Sequence, residues 1–341
     1  MRSNAKQILM ASAALIALAC QGAKAQDAVE LSVVHGSPNG HVISAQGVDV
    51  WMACMEEAGV SDVTFRYYPA GQLSATPELL NSLNSGIADL APVPIGYVTD
   101  KMPLNGVSML PGLGSTATEI ITAYSEAVKE GPLAEEFASN NIKPLWVMAF
   151  PPYQMVSMDG PIRSESDFQG KVIRSAGGSM NLAIQSLGAS PAEIPVGDMY
   201  VALERGTADG TISALSSLKP FNVHELMGAT STNGAFGTFS NVFSIRTDRW
   251  EALSPETQQA MTECGAKTEE SVAAFMDEEA VQLAEEFAEL GAEVYEFTEE
   301  EMGAINEKLA PVSEDWVSRL SDRGLPAEEV FADYSARLGA E

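Results

Sequence analysis

Between Val29 and Pro92 the sequence signals strand, helix, strand, helix and strand in turn, and that order constrains the fold more than any other feature. Val29–Val34 alternates apolar and polar residues as a half-buried strand does, and ends at His35-Gly36-Ser37-Pro38. A helix is predicted from about Val42 to Ala58, stopped by Gly59, followed by a second strand over Val63–Tyr68. Thr76-Pro77-Glu78 starts another helix with a capping residue, a proline in the first turn and an early acid. That helix ends near Gly86, and Ile87–Pro92 reads as a short buried strand. Strands separated by helices of this length pair in parallel, with the helices as crossovers, so the class is α/β.

The pattern restarts further on. Thr118–Asn140 is helical with an interruption at Gly131-Pro132, Ile142–Phe150 is a strong strand, and Pro151-Pro152 breaks the path. A second α/β unit follows, with a strand over Lys171–Arg174 and helices over Asn181–Leu187 and Met199–Glu204. Asn241–Arg246 is a further strand. Ser254-Pro255-Glu256 then caps a helical run reaching about Leu290, and Thr298–Leu338 reads as amphipathic, Glu-rich helices. At 341 residues the chain is too long for one small core and suits two lobes.

The first 25 residues read as an export signal rather than as structure. Arg2 and Lys6 give a basic start, Ile8–Cys20 is an apolar run too short to span a bilayer, and Ala23-Lys24-Ala25 is a small-x-small cleavage site before Gln26. Ala17-Leu18-Ala19-Cys20 faintly resembles a lipoprotein signal, with Cys20 acylated; the cleaved, freely exported form is the preferred reading. The whole chain carries 19 basic and 47 acidic residues, and losing Arg2, Lys6 and Lys24 with the leader takes the net charge from −28 to −31. Such a chain repels nucleic acid and anionic lipid, so no nucleic-acid partner is expected. Only Cys54 and Cys264 then remain, either joined in an oxidising compartment or kept as two separate buried thiols.

Two spaced signatures carry a resemblance. The first is Asp167-Phe168-Gln169-Gly170-Lys171-Val172-Ile173-Arg174, and the second runs from Gly197-Asp198-Met199-Tyr200 through Leu203-Glu204-Arg205-Gly206 to Asp209-Gly210. Between them, Leu187-Gly188-Ala189-Ser190-Pro191 is a helix end running into an extended segment. Together they resemble the periplasmic solute receptors of TRAP transporters, the DctP-like family. The resemblance implies a two-lobed periplasmic binding protein fold with hinge strands and a long helix crossing both lobes. One lobe takes residues 26–151 plus 240–279, and the other takes 152–239 plus 280–341 with the C-terminal helices. That partition puts Cys54 and Cys264 on two helices of one lobe, which favours the disulfide.

The resemblance also implies that Arg174, the last residue of its predicted strand, anchors the carboxylate of an organic acid. On position alone the alternative is a surface arginine paired to one of the many acids. A guanidinium offers two parallel donors and stays charged when desolvated, which suits it to the first role. Family members commonly have Gln-Glu-Asn after Asp-Gly; here Thr211-Ile212-Ser213 leaves Ser213 with one hydroxyl in place of an amide. Many members carry a second arginine after the strand that ends here at Phe150, where this chain has Pro152-Tyr153-Gln154, and Pro77 and Pro94 stand where sugar-acid receptors place charges. A cleft poor in charge is therefore expected, walled by Tyr97, Phe150, Tyr153, Phe236 and Phe239. Lys219 and His224 are candidates for a second anionic group.

Enzymatic signatures are missing. His35, His41 and His224 are the only histidines and none has metal-ligand spacing, so no metal or other cofactor is expected. Gly112-Leu113-Gly114 lacks the third glycine of a dinucleotide loop, and Gly177-Gly178-Ser179 is followed by Met180-Asn181 rather than by the glycine that closes a nucleophile elbow. The expected function is capture of a monocarboxylate, with aromatic acids among the candidates, and its delivery to integral-membrane TRAP subunits. The alternatives are a receptor for an ATP-driven transporter or a periplasmic sensor module.

Overall fold

The computed structural model describes residues 28–339. The expected export signal, its cleavage site and Cys20 lie outside the described residues. Among the described residues, eleven strands form two sheets. Lobe I holds β1 (Val29–Val34), β2 (Val63–Tyr68), β3 (Leu90–Pro94), β4 (Ile142–Ala149) and β10 (Ser240–Arg246), in the order β2-β1-β3-β10-β4. Lobe II holds β5 (Gln154–Ser157), β6 (Val172–Ser175), β7 (Ser190–Glu193), β8 (Gly210–Ser213), β9 (Ala229–Ser231) and β11 (Glu293–Tyr295), in the order β11-β9-β5-β8-β6-β7.

The first three strands pair in parallel, with β1 between β2 and β3, as the alternation of strand and helix signals dictates. β3 contains Pro92 and Pro94, which a fully paired central strand would not tolerate. Here β1 pairs with β3 only at Val33–Leu90, so beyond that point β10 is its one partner. Each sheet is completed by a strand that has just crossed from the other lobe and runs antiparallel to its neighbours. These are β10 between β3 and β4, and β5 between β8 and β9. The two crossing segments bind each other: Phe150 N donates to Phe239 O at 3.2 Å, and Tyr153 N to Gly237 O at 2.7 Å.

Helix ends follow their local signals. Gly59 and Gly86 take left-handed C-cap conformations, with φ of 66° and 76°. The side chain of Ser254 accepts from Thr257 N to start the 35-residue helix Pro255–Glu289, and a Thr298–Glu301 capping box starts Glu299–Asp322. The predicted helix after Thr76 begins as a 3-10 turn over Thr76–Glu78, and Ala75, not Thr76, holds the N-cap position.

The Pro255–Glu289 helix packs on β4 and on the helices Asp49–Ala58 and Ala117–Ala127 of lobe I, then on β11 and the short helix Leu215–Leu218 of lobe II. Cys264 on it is bonded to Cys54 on Asp49–Ala58, their Cα atoms 5.7 Å apart. Next to the bond, Gly265 lets the helix approach β4 so closely that a Cβ would stand 2.5 Å from the carbonyl oxygen of Leu145. The indole of Trp51 donates to Met261 O, adding a second tie between the same two helices.

The expected allotment of all C-terminal helices to lobe II needs correction. Glu299–Asp322 does pack on the lobe II helix Ser179–Ser186, but Ala327–Leu338 returns to lobe I and packs on Ala117–Ala127. Its buried face, with Ala327, Val330 and Tyr334, sets Tyr334 edge-on to Tyr124 at 6.2 Å.

Candidate binding site

A small cavity, about 40 Å³, lies where the two crossing segments meet the ends of both sheets. Lobe I supplies Ser37, His41, Ile43, Thr76, Tyr97 and Asn241. Arg174, Ala176, Val196, Ser213 and Ser217 come from lobe II, and Phe150, Tyr153 and Phe239 from the crossing segments. Arg174 is the sole lysine, arginine, aspartate or glutamate among these lining residues.

The two sequence signatures build the strand that carries Arg174. In the first, Asp167 forms a capping box with Ser164, Phe168 is fully buried, and Gly170 turns the chain into β6 with φ of 76°. In the second, the Asp209 carboxylate accepts from Val172 N at 2.7 Å and so fixes the start of β6. Gly210 lies against β5, where a Cβ would stand 2.5 Å from Val156 O. β6 is held on both sides, with Arg174 opposite Ala192 of β7 and Thr211 of β8. The arginine emerges near the C-terminal end of this parallel run, where open α/β sheets place ligands.

Arg174 is only 2% exposed and has no carboxylate partner among the described residues. Its Nε donates to Ile194 O at 2.8 Å and one Nη donates to the hydroxyl of Tyr97 at 3.2 Å. A guanidinium has five donors, so three N–H groups remain for another acceptor. Burying an uncompensated cation costs several kcal/mol, a cost that an anionic group brought to these free donors would offset.

Tyr97 OH accepts from Val196 N at 2.9 Å as well as from Arg174. With both lone pairs engaged, its own proton is free to donate. Tyr153 is buried, and burial raises its phenol well above the ordinary value, so it too is a neutral donor. On the other side, Ile43 N donates to His41 Nδ1 at 3.3 Å. The ring proton is thereby assigned to Nε2, which donates to Ser217 Oγ at 3.2 Å. Burial, with the nearby His35, pushes His41 down to about 3, so it is a neutral, edge-packed ring between Phe150 and Phe221. Ser179 Oγ donates to Met109 O at 3.1 Å, a further bond between the lobes.

The structure thus brings together Arg174, Ser213, Tyr97, Phe150, Tyr153 and Phe239. It does not bring Phe236 or Lys219 with them. Phe236 is fully buried against Phe168 and Phe297 in the interior of lobe II. Gly237, with φ of 100° and close against Met109 O, turns the chain between Phe236 and Phe239 and sends them to different surroundings. Lys219 points away and pairs with Glu286 on the long helix at 2.6 Å. His224 sits in the 3-10 turn Val223–Glu225, outside the cavity. The polar lining residues that sequence reasoning missed are all neutral: Ser37, His41, Thr76, Ser217 and Asn241.

A larger and more open groove lies behind the crossing segments, against the middle of the long helix. It presents Asp277, Glu285 and Glu296 and no lysine or arginine, which disfavours an anionic solute.

The sequence model of the bacterial extracellular solute-binding protein family 7, DctP, matches residues 34–319. The chain belongs to this family. DctP proteins are TRAP-type solute receptors, and their family and fold are those of binding proteins rather than enzymes. Among curated relatives, the ectoine-binding periplasmic protein TeaA of Halomonas elongata is 23% identical over 289 residues, which is 82% of each chain. A TRAP solute-binding protein from a marine metagenome, specific for aromatic acids and solved with 3-hydroxybenzoate, superimposes with a TM-score of 0.85 at 22% identity, covering 92% of this chain and 99% of its own. A TRAP solute-binding protein from Rhodoferax ferrireducens T118, solved with copurified benzoate, gives the same TM-score and identity over 92% and 98% of the two chains. At this identity the structural likeness establishes the fold.

Proposed function

We propose that this protein is the exported receptor of a TRAP transporter, that it captures an organic monocarboxylate between its lobes, and that it delivers it to integral-membrane subunits. The observation that carries this reading is Arg174, buried in a cavity that provides no counter-charge. A carboxylate accepts the unused guanidinium donors side by side, and the phenols of Tyr97 and Tyr153 add neutral donors. Closure dries the pair and strengthens it, so the ligand favours the state in which both lobes touch it. Phe150, Tyr153 and Phe239 give the remainder of the ligand an apolar wall, which suits an aromatic or hydrophobic acid. Aromatic acids bound by proteins of the same fold agree with that class.

The experiment is a thermal-shift screen of the mature protein against keto, hydroxy, aromatic and sulfonate acids, followed by calorimetry on the hits. One-to-one binding of a monocarboxylate is the expected result. Selective binding of uncharged or cationic solutes would overturn the reading. Export to the periplasm is tested by fractionation and by N-terminal sequencing, with Gln26 as the expected first residue.

A further inference from the structure

The cavity holds a second polar residue that the protein does not use internally. Asn241 on β10 is 5% exposed and lines the cavity, yet neither atom of its carboxamide has a side-chain hydrogen bond to any described residue. It lies on the same face of β10 as Phe243, whose ring stacks on Trp146 at 4.9 Å, so its strand is held rigidly. An amide that faces a cavity without a protein partner is left to be completed by water or by whatever enters. Nearby lining groups share its character. Ser37 is 6% exposed with an uncommitted hydroxyl, and Thr76 likewise has no side-chain partner, whereas His41 has both ring nitrogens engaged.

The division between lobes is chemical as well as geometric. The cation comes from lobe II, while lobe I contributes only neutral groups that donate and accept. A carboxamide presents an NH2 group that donates and a carbonyl oxygen that accepts, side by side on one carbon. It is satisfied by a group that does both, such as a hydroxyl, and poorly by a second carboxylate, which only accepts and would meet Asn241 Oδ1 in a dry cavity. We propose that Asn241 is a specificity residue that reads an uncharged hydroxyl of the ligand, making the protein a receptor for hydroxylated monocarboxylates that discriminates against dicarboxylates. This rests on the reading of Arg174 as the carboxylate anchor.

Calorimetry with matched acids tests it: benzoate against the three hydroxybenzoates, phenylacetate against mandelate, butyrate against hydroxybutyrates, and phthalates as dicarboxylates. In the wild type at least one hydroxylated acid should bind about tenfold or more tightly than its parent, because a site built to hydrogen-bond a hydroxyl rejects the analogue lacking it. In Asn241→Leu that ratio should collapse towards one. Asn241→Ala serves if the leucine variant fails to fold. An unchanged ratio in a folded variant, no hydroxyl preference in the wild type, or dicarboxylates binding best would each overturn the proposal. Arg174→Ala separates the two readings: if it binds the parent acids normally, or if no acid of the panel binds the wild type, the carboxylate anchor fails and this proposal with it. If the parent acids depend on Arg174 but the hydroxyl ratio ignores Asn241, only the present proposal fails.

Discussion

The hydroxyl of Tyr97, in lobe I, accepts hydrogen bonds from both Arg174 and the backbone of Val196 in lobe II. One oxygen therefore ties the cation of the site and the segment behind it to the opposite lobe. The same ring lies tilted on Phe239 at 5.2 Å, so its position depends on packing as well as on its hydrogen bonds.

Tyr97→Phe should keep that packing and lose both cross-lobe bonds. Leaving two buried donors short of an acceptor costs about 1–3 kcal/mol for each group, and water reoccupying the cleft recovers part of it. Affinity should fall roughly 10- to 100-fold. Small-angle scattering of the variant at saturating ligand should show a more open particle than the wild type. Unchanged affinity would mean that Tyr97 does not contribute to closure.

Replacing Arg174 tests the anchor directly. Arg174→Ala should lose about 3–5 kcal/mol of binding, hundreds-fold or more in affinity, because the bound carboxylate keeps its desolvation cost without its partner. Arg174→Lys should also bind poorly, since an ammonium cannot reproduce two parallel donors while holding Ile194 O. Arg205→Ala, at the exposed end of the helix Met199–Glu204, should bind as the wild type does. Calorimetry on the three variants decides the point, with circular dichroism confirming that each is folded.

Cys54 and Cys264 should titrate as no free thiol in unreduced protein. Replacing both with Ser should lower unfolding stability by about 2–4 kcal/mol, read from denaturant midpoints. Two free thiols with unchanged stability would show the bond is not made in solution.

One buried and one half-buried group set opposite pH trends. His41, ordinarily at 6.5, is held at about 3 by burial, so the unfolded chain binds its proton more readily. Its contribution is complete above pH 6.5 and is lost as pH falls towards 3. Glu279 is raised from 4.5 to about 7 by burial, with Lys219 opposing; here the folded state holds the proton, and stability declines as pH rises through 4.5 to 7. Melting curves from pH 3 to 8 should therefore flatten on the acid side in His41→Asn and on the neutral side in Glu279→Gln. Parallel profiles in wild type and variant would refute the assignment for that residue.

The strands of lobe I were legible because each has a run of apolar or alternating residues closed by Gly, Pro or a cap. β5, β8, β9 and β11 have three or four residues each and depend on partners distant in sequence, so no local period marks them. Arg174 was found because its strand is framed by two motifs that fix it. Asn241 and His41 carry no such frame, and only the folded chain shows that one lacks partners and the other is fully engaged. Phe236 and Phe239 are indistinguishable as sequence, and the turn at Gly237 assigns one to the interior and the other to the cavity wall.

Strands β5 to β9 of lobe II lie wholly between Cys54 and Cys264 in the sequence, inside a covalent ring that spans 210 positions. A protease that nicks one exposed turn there opens the ring without cutting the molecule in two, and the fragments part only when a reductant is added. The part of lobe II that holds Arg174 is thus enclosed between two helices fastened together, and it stays tethered to that pair even when it is itself unfolded.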